Sequence, residues 1–165
     1  MEMLVGIITA SDKGAAGMRE DESGKVIREM LTEMGAEIKE YRVVPDDFDT
    51  LVSTMKYMAD ELFCHLIFTT GGTGFGKRDV TPEATMAVAE RNAPGIAEAM
   101  RQKSLEITDR AMLSRAASVL RGDSIIINLP GSPKAVRECL ACILPALPHG
   151  VEILTGQAVE CARTE

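Results

Sequence analysis

The chain has no tryptophan, and two tyrosines and four phenylalanines bring aromatics to only 4% of 165 residues. Proteins that bind single-stranded nucleic acid stack bases on exposed rings, so this composition argues against that class. Positive charge is short too: 18 Lys and Arg stand against 25 Asp and Glu, for a net charge of −7. Non-specific nucleic-acid binding needs a positive field and is disfavoured. The cysteines are Cys64, Cys139, Cys142 and Cys161. Only Cys139 and Cys142 have C-x-x-C spacing, no second pair completes a zinc site, and both fall in an apolar, helix-like segment that suits reduced thiols. His65 precedes a buried strand and His149 lies in a proline-rich turn; neither has a neighbour suited to a nucleophile–base pair. No apolar run is long enough to cross a bilayer, and Glu2 occupies the place of a signal peptide's basic start. A cytoplasmic protein with neither membrane nor nucleic-acid partners is expected.

What is present fits one globular domain over residues 1–165, with 45% hydrophobic and 26% charged residues. Leu4 to Ala10, Glu37 to Val44, Leu66 to Phe68 and Ser124 to Leu129 read as strands. Helical spacing follows Glu22 (Val26, Ile27, Met30, Leu31), with Gly35 placed to end that helix, and recurs at Leu51, Val52, Met55 and Met58. Thr81-Pro82-Glu83 and Ser132-Pro133 each read as a cap followed by a helix-opening proline. Another helix is expected from Pro94 towards Leu105, and Pro145 and Pro148 bound the last one. The tail after Gly156 is weakly patterned and expected to be mobile. The ten methionines mostly keep helical spacing, which favours core or subunit packing. Alternating strands and helices predict an α/β fold, a three-layer α/β/α sandwich with a mostly parallel sheet.

Each strand runs directly into small or polar residues: Ser11-Asp12, Pro45-Asp46-Asp47, the stretch from Gly71 to Asp79, and Pro130-Gly131-Ser132. Ligands of open parallel sheets bind outside the carboxyl ends of strands, so parallel strands would bring these clusters to one crevice. Each cluster also has a plainer reading. Ser11-Asp12 makes an ordinary turn or cap, Asp46 caps a helix as Asp47 or Asp49 would, and Gly131-Ser132-Pro133 is a tight entry to a helix. The strongest signal is Gly71-Gly72-Thr73-Gly74 followed by Lys77, Arg78 and Asp79. Three glycines beside two cations and a carboxylate exceed what a hairpin needs and suit an anionic, phosphorylated ligand. Gly71 to Lys77 matches the start of a P-loop, but Arg78 replaces the Ser or Thr that holds Mg2+. A dinucleotide fingerprint fails because Lys77 occupies its third glycine. Ser114-Arg115 offers a further phosphate contact or a solvated face.

Thr69 to Gly74 together with Arg78-Asp79-Val80-Thr81-Pro82-Glu83-Ala84-Thr85 resembles the molybdopterin-binding motif of molybdenum cofactor biosynthesis proteins. Ser11-Asp12, Glu20-Asp21, Val44-Pro45-Asp46, Ala93-Pro94-Gly95, Met112 to Arg115 and Asn128 to Pro133 occur in the order that family has. The nearest likeness is to the molybdopterin adenylyltransferases, including the G domain of gephyrin, and it extends to about Leu154. The resemblance implies attack of the terminal phosphate of molybdopterin on the α-phosphate of ATP, with release of pyrophosphate. It also implies Mg2+, a homotrimer and hand-over of product to a molybdenum insertase. Asp46 and Asp79 would be catalytic by binding or orienting Mg2+. Ser11, Asp12, Thr70, Gly71, Gly72, Thr73, Gly74, Arg78, Ser114, Arg115, Pro130, Gly131 and Ser132 would bind substrates. Gly76-Lys77 stands where relatives often carry a small residue and proline, which predicts a more flexible loop. Two other readings remain: a non-catalytic molybdopterin-binding protein or trimeric scaffold of the same fold, and a regulatory nucleotide-binding module.

Overall fold

A computed structural model describes residues 2–158; Cys161 and the rest of the tail lie outside the described residues. Its sheet has six strands in the order β2 (Glu37–Val44), β1 (Leu4–Ala10), β3 (Leu66–Thr70), β6 (Ser124–Leu129), β5 (Ser118–Arg121) and β4 (Arg91–Asn92). Strands β1, β2, β3 and β6 run parallel. Strands β4 and β5 add an antiparallel edge.

The alternation of side chains along a strand supplies both faces of the sheet. Val5, Ile7, Leu66, Phe68, Ile125 and Ile127 point into one core. That core is closed by α2 (Glu22–Glu33), α5 (Pro94–Leu105), α6 (Pro133–Ile143) and α7 (Leu147–Leu154). Ile8, Ala10, Ile67 and Ile126 point the other way, under α3 (Phe48–Asp60) and α4 (Thr81–Val88). Each fully buried residue of this type contributes about 1.5–3 kcal/mol of transfer free energy. The three-layer α/β/α sandwich follows from this pattern. A short helix α1 (Asp12–Ala15) and a 3₁₀ turn (Asp109–Leu113) complete the described chain. None of its helices is long and apolar enough to cross a membrane.

Helix starts decide which polar side chains are free. Asp47, not Asp46, caps α3, accepting from the Thr50 N–H at 2.9 Å and the Thr50 hydroxyl at 2.7 Å. Ser11 caps α1, Asp21 caps α2, and Ser132 caps α6 with a bond from the Ala135 N–H at 3.2 Å. At α4 the expected cap is absent. The helix begins at Thr81 itself after Val80, with no side-chain cap. The Thr81 N–H donates to the Gly72 carbonyl at 3.2 Å, which holds the residue inside the first turn with its side chain fully buried. Pro148 likewise lies inside α7 rather than marking a stop, because proline is tolerated in a helix's first turn.

Candidate active site

The chain steps outward from β1 to β2 and then crosses back to β3, so the order reverses between β1 and β3. The carboxyl ends of strands at such a reversal bound a ligand crevice. Ser11, Asp46, Gly71, Gly72, Asp79 and Gly131 line one crevice of about 410 Å3 at that edge. Four sequence clusters therefore meet there because their strands are parallel neighbours. The hydroxyl of Thr70, also in this wall, donates to the Pro130 carbonyl at 2.6 Å and ties the β3 and β6 turns together.

The glycine loop is shaped by what a side chain would meet. Gly71 has φ +88°, and a Cβ there would stand 2.5 Å from the Ala10 carbonyl oxygen. Gly72 has φ +69°, and its Cβ would stand 2.4 Å from Thr81 Oγ1. Further along, Asp79 folds its carboxylate back on the loop and accepts from the Gly76 N–H at 3.0 Å. Arg115 braces the same loop from outside. Its guanidinium donates to the carbonyls of Gly74 (2.8 Å) and Asp79 (2.9 Å) and pairs with Glu83 at 2.7 Å.

At the opposite wall Asp12 and Asp46 clasp each other. The Asp46 N–H donates to Asp12 Oδ1 at 3.0 Å, and the Asp12 N–H donates to Asp46 Oδ2 at 3.1 Å. Arg78 clamps Asp12 through Nε (3.1 Å) and Nη2 (3.0 Å), which holds the Asp12 carboxyl below its usual range. Asp46 is pushed upward, first by burial and then by the negative charges of Asp12 and Asp79. Arg19 is the one cation among the described lining residues, against Glu20, Asp21, Glu22, Asp46 and Asp79. Such a wall repels bare phosphates and favours a ligand that arrives with a divalent cation.

The raised Asp46 carboxyl opposes folding once ionised. Its stabilising balance is complete below the unfolded value near 3.8 and is lost as pH rises through the higher folded value. Asp46→Asn is therefore expected to raise the unfolding midpoint at pH 7, with the advantage over wild type vanishing below about pH 4. Thermal unfolding followed by circular dichroism across that range tests this; a lower midpoint at pH 7 would contradict it.

A second hollow, of about 290 Å3, lies on the other side of the glycine loop, among Thr73, Gly74, Met100, Ser114, Asn128 and Pro130. The expected site residues thus divide. Ser11, Asp46, Thr70, Gly71, Gly72, Asp79 and Gly131 line the crevice, and Thr73, Gly74, Ser114 and Pro130 line the hollow. Asp12, Arg78, Arg115 and Ser132 line neither, and hold loops or cap a helix instead.

Thr9, Arg19, Asp21 and Ser23 also line the crevice; the sequence marked Asp21 only as part of the family's motif order, without a role in the site, and gave no sign of the other three. Asp21 accepts from the Gly24 N–H at 3.0 Å, from the Thr9 hydroxyl at 2.7 Å and from the Tyr41 hydroxyl. Ser23 donates to the Gly131 carbonyl at 2.6 Å. The signal that could have found them was Asp21-x-x-Gly24 as the start of α2, directly behind the crevice.

No group of three or more His, Cys, Asp or Glu among the described residues is arranged as a metal cage. Asp46 and Asp79 nevertheless suit Mg2+. Asp46 Oδ2 accepts from Asp12 and Asp79 Oδ2 accepts from Gly76, and neither Oδ1 has a donor among the described residues. One or two carboxylates completed by substrate phosphates is a usual Mg2+ donor set.

A family profile described as "Probable molybdopterin binding domain" matches residues 6–149. A molybdopterin adenylyltransferase of Helicobacter pylori J99 is 43% identical over 158 residues, covering 94% of this chain and 90% of that protein. That of Escherichia coli K12 is 38% identical, with 97% and 89% covered. The solved structure of the molybdopterin biosynthesis enzyme MoaB from Thermus thermophilus superposes with a TM-score of 0.89 at 44% identity, covering 96% of this chain and 99% of that one. The tungsten cofactor synthesizing protein MoaB of Pyrococcus furiosus gives 0.85 at 34%, with 93% and 97% covered. With the profile spanning most of the chain and relatives of this identity along nearly its whole length, the chain belongs to the molybdopterin-binding family of molybdenum cofactor biosynthesis proteins.

Proposed function

We propose that this chain transfers the adenylyl group of ATP to the terminal phosphate of molybdopterin. A phosphate oxygen attacks the α-phosphorus, the bond to the β-phosphate oxygen breaks, and pyrophosphate leaves with the electron pair. The observation that carries this reading is the placement of Asp46 and Asp79 on one crevice whose wall is the Gly71–Gly72 backbone. The names of the relatives, molybdopterin adenylyltransferase in bacteria at 38–43% identity, support it.

Nucleotidyl transfer joins two anions, so its catalysis lies in neutralising charge and aligning reactants. Asp46 and Asp79 would hold Mg2+, which supplies the charge neutralisation between the phosphates. Backbone N–H groups of the glycine loop receive phosphate oxygens, and Arg19 offers a fixed positive charge at the rim. The hollow beyond the loop, walled by Met100 and Pro130 with Ser114 as a polar handle, has the mixed character a pterin ring needs. The attacking phosphate monoester is already largely ionised near pH 7, so no strong base is required. The exposed apolar side chains of Leu105, Ile107, Met112 and Leu113 offer a subunit contact for a homotrimer, which would pass its product to a molybdenum insertase in the cytoplasm.

The test is direct. Purified protein, molybdopterin, ATP and Mg2+ are mixed and pyrophosphate release is followed by a coupled assay. Release stoichiometric with adenylylated molybdopterin is expected. Intact molybdopterin binding without release would reduce the chain to a binding protein.

A further inference from the structure

One hydroxyl has no partner. Thr81 Oγ1 is the only buried side-chain polar atom among the described residues that makes no hydrogen bond, and Thr81 is wholly buried. Leaving such a group unpaired is destabilising. Its nearby hydroxyls behave differently: Thr85 donates to the Thr81 carbonyl at 2.8 Å and Thr70 to Pro130. An acceptor in the same position as the donor is also unused. Asp46 Oδ2 takes the Asp12 N–H, but no donor among the described residues reaches Oδ1. Both atoms crowd one face of Gly72. A side-chain carbon built there would lie 2.4 Å from Thr81 Oγ1 and 3.1 Å from Asp46 Oδ1. The missing Cβ of Gly72 is what leaves a line of approach between them, and Thr81 N–H already holds the Gly72 carbonyl.

We propose that Thr81 is a positioning residue: with the cation-bound ligand seated, the Thr81 hydroxyl donates to one lone pair of Asp46 Oδ1, leaves the other for the cation, and fixes that carboxylate in the orientation the cation-bound phosphates require. The proposal rests on the adenylyltransferase reading. Carboxylates that ligate metals are commonly held by such outer hydrogen bonds, whose loss lowers metal affinity or activity about 10–100-fold. An orphaned hydroxyl is also the simplest reserve for a bond made only in the loaded state. No existing bond has to break in the free protein, so its contribution appears entirely on binding.

The experiment compares Thr81→Val and Thr81→Ser with wild type by three measurements. The first is the unfolding midpoint of the free protein. The second is Mn2+ affinity by electron paramagnetic resonance with α,β-methylene-ATP present. The third is kcat for pyrophosphate release. For Thr81→Val the midpoint is expected to stay or rise, because an unpaired hydroxyl is replaced by an isosteric methyl. Mn2+ affinity and kcat are expected to fall about tenfold or more, with KM for molybdopterin unchanged. Thr81→Ser should restore both. A Val variant that melts well below wild type would show an ordinary structural hydrogen bond and overturn the proposal. Unchanged Mn2+ affinity in the Val variant, or no recovery in the Ser variant, would overturn it too. If wild type binds Mn2+ with the analogue yet releases no pyrophosphate, the adenylyltransferase reading fails while the Mn2+ comparison still decides the role of Thr81.

Discussion

Asp79→Asn is expected to lower kcat for pyrophosphate release by about 10²–10³-fold and to leave molybdopterin affinity within about twofold. The substitution keeps shape and hydrogen bonding. An asparagine oxygen in place of Oδ2 still accepts from the Gly76 N–H, the bond that Asp79 makes at 3.0 Å. The loop should hold its form, because the Arg115 bonds to the Gly74 and Asp79 carbonyls involve backbone and not the side chain. What disappears is one negative charge facing the crevice. Two phosphates approaching each other need a cation between them, and a neutral amide is a poor ligand for one. Molybdopterin affinity is a useful control, since the pterin contacts proposed here lie across the loop from Asp79. Single-turnover pyrophosphate release, with binding followed by calorimetry, separates the two effects. A variant within fivefold of the wild-type rate would remove Asp79 from the chemistry. Equal loss of rate and of molybdopterin affinity would mean the loop had collapsed.

How much of this was legible in the sequence depends on the range over which each feature is decided. The parallel strands β1, β3 and β6 were readable because each is an apolar run buried on both faces, as Leu66–Thr70 is, and the edge strand β2 from its apolar Ile38 and Val43-Val44. The helices α2 and α6 were readable from a one-sided apolar stripe closed by Gly35 or opened by Ser132-Pro133. Strand β5 was not. Ser118–Arg121 is four residues long and polar at both ends, and only pairing with β6 across a turn at Gly122 makes it a strand. Thr81 misled for a related reason. Thr-Pro-Glu reads locally as cap, first residue and acidic first turn, but a long-range bond to Gly72 draws Thr81 into the helix. In the site, the strand-end clusters were visible because the sheet's polarity brings them together. The contribution of Thr9 and Ser23 was not, nor was the role of Asp21 beyond its place in the motif order, since those side chains meet the crevice only through the packing of α2 against β1.

Gly71→Ala is expected to be severely damaging, and two other glycines show why. At Gly95 an added methyl meets nothing within 4 Å and φ is ordinary, so Ala there is expected to be nearly neutral. At Gly122 the methyl also meets nothing, but φ is +51°, so Ala costs only the left-handed backbone term of about 1–2 kcal/mol. Gly71 combines φ +88° with a contact of 2.5 Å to the Ala10 carbonyl oxygen. That oxygen is backbone at the end of β1, where Ala10 stands in register with Val44 and the next N–H, of Ser11, bonds the Val44 carbonyl at 2.9 Å. It cannot retreat without breaking the ladder, so the glycine loop has to move. Movement there carries Gly72, and with it the bond to Thr81 that sets the start of α4. The expected result is a loss of stability above about 2–3 kcal/mol, or a fall in the unfolding midpoint of roughly 5–10 °C for a chain of this size. Adenylyl transfer should drop to background even at temperatures where the variant is folded. Gly122→Ala should lose less stability and keep its activity. The two variants differ in backbone contact and not in chemistry, so a matching loss in both would mean that φ alone governs the loop and that the approach of Ala10 to Gly71 does not hold the crevice in shape.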